Sequence, residues 1–223
     1  MTIKICVSVL PQTVTEALNL IEKAQNERAD FIEVRLDKLK NCKLSDITAY
    51  SDTPLIATDR SIRCQGKSPV AEQRILINAA KNGFEFVDVE LFTPRVKEIV
   101  GNLRDLGTKQ IISFHDFNTT PKSSQLGRIL EKEITNGADL CKIVTTARFA
   151  EDNLTVLDFV SNACKNAKIV CFSMGKLGRL SRLLSPLFGA FFTIASIEDA
   201  RETADGQLTI QQMRSAWKAL ELN

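Results

Sequence analysis

Histidine, tryptophan and tyrosine each occur once in this chain of 223 residues, and their scarcity excludes a good deal. With His115 as the sole imidazole, and with Cys6, Cys42, Cys64, Cys141, Cys164 and Cys171 scattered without a Cys-x-x-Cys pair, no metal-ligand spacing is present. No metal site is therefore expected. A net charge of +2 provides no electrostatic footprint for nucleic acid, and no apolar run approaches the ~20 residues that span a membrane. MTIKICVSVL lacks the separate charged region, apolar segment and cleavage site of a secretory signal, and reads as a first strand. VSVLPQTV carries no glycine-rich turn after that strand, which argues against an open dinucleotide-binding sheet. GKLGRLSR has the composition of a phosphate loop but not the Walker spacing. No Pro/Gly/Ser linker divides the sequence, so a single domain over residues 1–223 is expected. Three cysteines lie in apolar strand-like runs, where they act as small hydrophobes, consistent with a reduced, cytoplasmic protein.

What is present is a regular alternation. Short apolar, β-branched runs recur as IKICVSV (3–9), DFIEVRL (30–36), PLIAT (54–58), FEFVDVEL (84–91), KQIISFH (109–115), ADLCKIV (138–144), AKIVCFS (167–173) and FFTIAS (191–196). Between them lie segments of helical period, among them 13–25, 71–82, 124–136, 153–166 and 207–222. Asn82-Gly83 and Asn136-Gly137 mark helix ends. Eight strands, each followed by a usually helical connection, indicate a parallel (β/α)8 TIM barrel of the α/β class.

Residues two apart on a strand share a face. That rule collects polar groups at the strand C-termini: Glu33, Arg35 and Asp37; Thr58 leading to Arg60; Asp88 and Glu90; Ser113 and His115; Lys142 between Leu140 and Val144. The seventh strand presents Phe172 and Met174 and then runs to Arg182. In a barrel these groups would converge on the mouth that carries catalysis.

Lys142 interrupts a run that should be buried on both faces. An ammonium there is costly unless it is paired or loses its proton, and a neutral lysine can form a Schiff base with a carbonyl. The alternative is a structural ion pair with Glu33 or Glu90. His115 is on the preceding strand, and adjacent strands lie only about 5 Å apart. A lysine that forms an iminium beside a histidine that moves protons describes proton abstraction next to a carbonyl carbon, followed by elimination or carbon–carbon cleavage. Glu33, Arg35 and Arg60 offer a set of donors and acceptors for hydroxyls, and the planar fork of Arg182 suits a carboxylate. For each arginine the competing reading is a surface residue or an ion pair, strongest for Arg179 and Arg63.

With these residues in view, the chain resembles the type I 3-dehydroquinate dehydratases, the Schiff-base-forming class of that shikimate-pathway enzyme. The likeness runs through EVRLD, ATDRSIR, VDVEL, SFHDFNTTP, CKIVTTA, FSMGKLGRLSR and ADGQ, in order and over nearly the whole chain. It implies dehydration of 3-dehydroquinate to 3-dehydroshikimate without metal or added cofactor, by a homodimer. It assigns Lys142 to attack on the ring ketone and His115 to proton transfer in imine formation, hydrolysis and elimination. It further implies that Glu33, Arg35 and Arg60 contact ring hydroxyls, that Arg182 and Gln207 hold the carboxylate, that Thr203 keeps a hydroxyl near it, and that Met174 forms an apolar wall.

The chain also departs from the family pattern. A glutamate usual four residues after the arginine matched by Arg60 is here Cys64, followed by Gln65 and Gly66, which leaves Asp88 and Glu90 as partners for His115. Phe172 stands for a frequent methionine, Ile194 for an aromatic wall residue, and IEDARETADG (197–206) reads as a mobile lid whose ADGQ ending replaces a proline-containing one. Two rival readings remain at this stage: another class I Schiff-base aldolase barrel, sharing Lys142, and a non-catalytic ligand-binding relative.

Overall fold

In a computed structural model the chain is described over residues 3–39, 43–60, 68–198 and 202–222. Cys42, Arg63, Cys64, Gln65, Gly66 and residues 199–201 of the expected lid lie outside those described. The strands are β1 Ile5–Val9, β2 Phe31–Arg35, β3 Leu55–Thr58, β4 Phe86–Glu90, β5 Lys109–His115, β6 Leu140–Thr146, β7 Ile169–Met174 and β8 Thr193–Ala195. Each falls within or overlaps one of the eight runs read from the sequence. The helices are α1 Val14–Asn26, α2 Leu44–Tyr50, α3 Pro69–Lys81, α4 Val96–Asp105, α5 Ser123–Thr135, α6 Asp152–Ala163, α7 Arg179–Leu184 and α8 Ile210–Ala219.

All paired strands are parallel, in the order β7-β6-β5-β4-β3-β2-β1-β8. The Phe191 amide donates to the Ile169 carbonyl at 2.7 Å, bringing the chain entering β8 back against β7. Eight parallel strands with intervening helices thus form a nearly closed (β/α)8 barrel rather than an open sheet.

Local chemistry explains the elements. Thr13 caps α1 by accepting from the Glu16 amide at 3.1 Å, and Ala17, Leu20, Ile21 and Ala24 recur at helical spacing on the buried side. Gly83 and Gly137 terminate α3 and α5 at φ 91° and 92°, the left-handed geometry a glycine takes without cost. Outward-facing Val87 and Val89 are wholly buried in the cluster that includes Leu76, Ala79, Ile99 and Leu103 of α3 and α4. Burial of each such valine contributes roughly 1.5–3 kcal/mol.

The inner face of the barrel changes character along its axis. Cys6, Phe31, Ile56, Phe86, Ile111, Leu140 and Val170 form an apolar plug. Two residues further along the strands, Ser8, Glu33, Thr58, Asp88, Ser113 and Lys142 are buried and polar. The period of two puts both sets on one face, so the apolar floor carries a polar layer at the C-terminal mouth.

Candidate active site

Lys142 is 4% exposed and its Nζ lies 2.8 Å from Asp88 Oδ2 and 3.3 Å from Glu33 Oε1. Burial works against the ammonium, but Asp88 and Glu33 outweigh it and raise its pKa above that of an ordinary lysine. Of the two outcomes open to a lysine in this strand, pairing or loss of its proton, the structure shows pairing. The partners are Asp88 and Glu33, not Glu90. Burial likewise opposes the charge on Glu33, yet Lys142 and Arg35 dominate and leave its carboxyl lowered to about 2.

Asp88 is the centre of the polar layer. Its Oδ1 accepts from Ser113 Oγ at 2.5 Å and lies 2.9 Å from Arg60 Nη2. Arg60 also reaches Ser113 Oγ at 3.1 Å, and its Nε lies 3.3 Å from Glu90 Oε1. Much of the Arg60 fork is therefore engaged inside the protein, although the side chain still lines the cavity.

His115 follows Ser113 inward on β5, and Ser113 is in register with Lys142 on β6. Its Nδ1 lies 2.7 Å from Glu90 Oε1, and its ring stacks on Phe117 at 5.9 Å between centroids. Burial lowers the His115 pKa, and the Glu90 carboxylate only partly offsets it. The imidazole is thus neutral at pH 7, and a carboxylate on Nδ1 favours the proton there and leaves Nε2 as the basic nitrogen.

Arg182, on α7, is 1% exposed, while Arg179 one turn earlier faces solvent. Its guanidinium lies 4.2 Å above the Phe172 ring and donates to the carbonyls of Ile194 (3.2 Å) and Asp205 (3.5 Å), and its Nε has no partner among the described residues. Burial depresses its pKa to about 9. Among the described residues no carboxylate is shown within ion-pair distance of this buried cation, although Asp205 acts on it, and its fork is suited to receive one from a ligand.

The segment 202–207 closes the opposite side. Gly206 has φ 74°, and a Cβ there would meet the Gly175 carbonyl oxygen at 2.3 Å, so only glycine lets this segment approach the end of β7. Glu33, Arg35, Thr58, Arg60, His115, Lys142, Met174, Arg182, Thr203 and Gln207 line one small cavity of about 50 Å³, with Val144, Phe172, Ile194 and Ala204 as its apolar part. A larger groove of about 620 Å³ runs between α3 and α4 on the outside of the barrel. It contains neither the lysine nor the histidine, so chemistry rather than size selects the inner cavity.

Residues 5–223 match the family model of type I 3-dehydroquinase. The chain belongs to that family. It is 35% identical over 221 residues to a 3-dehydroquinate dehydratase of Methanococcus maripaludis, covering 97% of this chain and 99% of that protein. Among solved structures it is similar to the type I 3-dehydroquinate dehydratase of Clostridium difficile with covalently modified comenic acid, with a TM-score of 0.86, 28% identity, and 97% and 91% of the two chains covered. The 3-dehydroquinate dehydratase of Geobacillus kaustophilus, at 23% identity and a TM-score of 0.87 over 99% of this chain and 92% of that one, shares the fold.

For this type I 3-dehydroquinase chain, the residues and the family resemblance together named nine of the fourteen cavity-lining side chains as site candidates, Thr203 and Gln207 through the resemblance alone, while Asp88 and Glu90 entered only as possible ion-pair partners. Asp88 and Glu90 were legible as inward-facing carboxylates, yet only the structure shows which cation each one holds. Ser8 was missed altogether. Its only signal was its alternation with Cys6 on the first strand. Arg35 is also less free than expected, since its fork grips Asp37 at 2.7 and 3.1 Å.

Proposed function

We propose that this protein dehydrates 3-dehydroquinate to 3-dehydroshikimate by a syn elimination through a Lys142 Schiff base, with His115 as the proton carrier. The observation that carries this reading is the pairing of a buried lysine with a neutral, carboxylate-oriented histidine on the adjacent strand, inside a cavity that also holds the buried Arg182. Family membership supports the same substrate.

An ammonium and a ketone give a protonated imine and water, so no net proton leaves the site. His115 moves protons within it: it relieves the attacking amine, passes a proton to the departing oxygen, then removes the proton beside the imine carbon. The iminium is the electron sink for that last step. It occupies the place of the ammonium, between Asp88 and Glu33, so the carboxylates that keep the resting lysine charged also stabilise the charged intermediate. The histidinium formed then donates to the β-hydroxyl as it leaves on the same face.

Arg182 receives the substrate carboxylate with help from Gln207 and Thr203, while Glu33, Arg35 and Arg60 take ring hydroxyls and Met174 forms the apolar wall. The absence of carbon–carbon cleavage separates this reading from an aldolase. Incubation with 3-dehydroquinate, followed by the absorbance of the conjugated enone product, tests it. Ligand binding without turnover would instead favour a non-catalytic relative.

The proposal includes one catalytic domain over residues 1–223 acting as a cytoplasmic homodimer. Exposed Phe149, Leu154, Leu177 and Leu180 on the connections after β6 and β7 support self-association, and sedimentation equilibrium tests it. Free Cys6, Cys141, Cys164 and Cys171 support a reducing compartment. Among the described residues no helix is long and apolar enough to cross a membrane.

A further inference from the structure

Arg182, the buried cation of the cavity, is carried on α7, a helix of 6 residues. Isolated helices shorter than ~12 residues are marginal in water, so anchors outside α7 must set its direction. The first amides of any helix have no partner within it, and a side chain at the capping position normally supplies one. Here that position is Gly178, which has no side chain to give. It has to be glycine, because a Cβ there would meet the Ser173 carbonyl oxygen on β7 at 2.5 Å.

The missing acceptor comes from a different helix. Asn153, in the first turn of α6, is 1% exposed, and its Oδ1 accepts from the Ser181 amide at 2.8 Å. Ser181 is the third residue of α7, the place a capping side chain ordinarily serves, and the next residue is Arg182. Asn153 Nδ2 donates to the carbonyls of Ala150 at 2.9 Å and of Leu177, just before Gly178, at 2.8 Å. One amide and two carbonyls leave a single orientation for this side chain. Ser181 Oγ adds a second tie, donating to the Gly178 carbonyl at 2.9 Å and accepting from the Ser173 amide at 3.0 Å. Asn153 does not line the cavity, so it acts on a ligand only through α7.

We propose that Asn153 is a positioning residue for Arg182, capping from α6 the short helix that carries the guanidinium. This rests on Arg182 holding the substrate carboxylate, as proposed above. Without the Asn153 acceptor the Ser181 amide is left buried and unpaired, and the first turn of α7 regains a partner only by shifting off β7. Arg182 moves with that turn. Its carbonyl stays tied to Thr193 Oγ1 at 2.6 Å, so the helix pivots instead of detaching. The displaced fork meets a carboxylate with poorer geometry, while Lys142 and His115 keep their places on β6 and β5.

The test compares an acid with its amide. KM and kcat are measured for 3-dehydroquinate, and the inhibition constant for its carboxamide, which lacks the charge Arg182 receives. Asn153→Leu should raise KM for the acid about 5- to 10-fold, the worth of one hydrogen bond. It should leave kcat and the carboxamide constant within about 2-fold, because the lost contact is remote from the reacting carbons. Ser181→Ala loosens α7 from its β7 side and should show the same split, and circular dichroism checks that each variant is folded. An unchanged KM in either folded variant, or a carboxamide constant that rises in step with the KM of the acid, would overturn the positioning role. Wild-type protein that binds the acid no more tightly than the carboxamide would overturn Arg182 as the holder of the carboxylate, and the positioning role with it.

Discussion

Glu90 Oε1 lies 2.7 Å from His115 Nδ1, and both side chains are nearly buried at the barrel mouth. Burial holds the imidazole neutral against this carboxylate, while Arg60 and His115 outweigh the burial of Glu90 and lower its pKa to about 2. The pair therefore consists of a neutral base and an ionised orienting group over the working pH range.

Glu90→Gln removes the charge but keeps the size. The loss of a charge-assisted hydrogen bond predicts kcat lower by roughly 10-fold, with KM little changed. The sign of the pH effect follows from the carboxylate favouring protonated His115. Without it the histidine pKa falls further, so the acidic limb of the rate profile moves to lower pH. A profile measured from pH 5 to 9 checks both, and an unmoved limb would separate Glu90 from the titration of His115.

His115→Ala should lose at least ~100-fold in turnover, the low end for a positioned proton carrier. Lys142 remains, so an imine should still accumulate and be seen by mass spectrometry of the intact protein. Near-normal turnover would return His115 to a structural role.

Arg182→Lys should lower kcat/KM by roughly 1.5–3 kcal/mol, about 10- to 150-fold, because an ammonium cannot reproduce a planar bidentate contact. Gln207→Ala removes a neutral hydrogen bond and should cost on the order of 1 kcal/mol. Steady-state kinetics on folded variants measure both. If Arg182→Lys is kinetically silent, another cation holds the carboxylate.

Glu133 of α5 is fully buried on the outer wall beside Cys141, and burial raises its carboxyl pKa well above the ordinary value. A raised folded-state pKa means that the native protein keeps a proton the unfolded chain releases above about pH 4.3. Stability is then greatest below that pH and declines as pH rises. Glu133→Gln should stabilise the fold at pH 7, with the gap closing near pH 4. Denaturant unfolding at the two pH values checks this, and a gap independent of pH would show that Glu133 does not titrate on unfolding.

The strands were legible because nothing else in the chain combines short β-branched runs with a period of two. Two helices were harder to read. The segment 96–105 is interrupted by Gly101 and starts after Arg95, which takes φ 62° where a capping serine or aspartate would have announced it. The segment 44–50 spans only two turns and offers no side-chain cap. At the site, Lys142 and His115 were conspicuous as polar residues in apolar strands. The partners of these groups depend on inter-strand register, which pairs Ser8 with Glu33 and Ser113 with Lys142. No local pattern encodes that register. The consequence of Cys64 for His115 lies outside the described residues, but Glu90 holds the histidine directly.

The nucleophile assignment is tested most directly by adding borohydride to the protein during turnover of 3-dehydroquinate and mapping the modified peptide. Lys142 is one of many lysines, but among the described residues it is the one held at the barrel mouth between Asp88 and Glu33. The account predicts irreversible inactivation, one substrate skeleton per chain attached at Lys142, and no attachment or turnover in Lys142→Ala. Label on another lysine, or turnover that borohydride leaves unaffected, would contradict it.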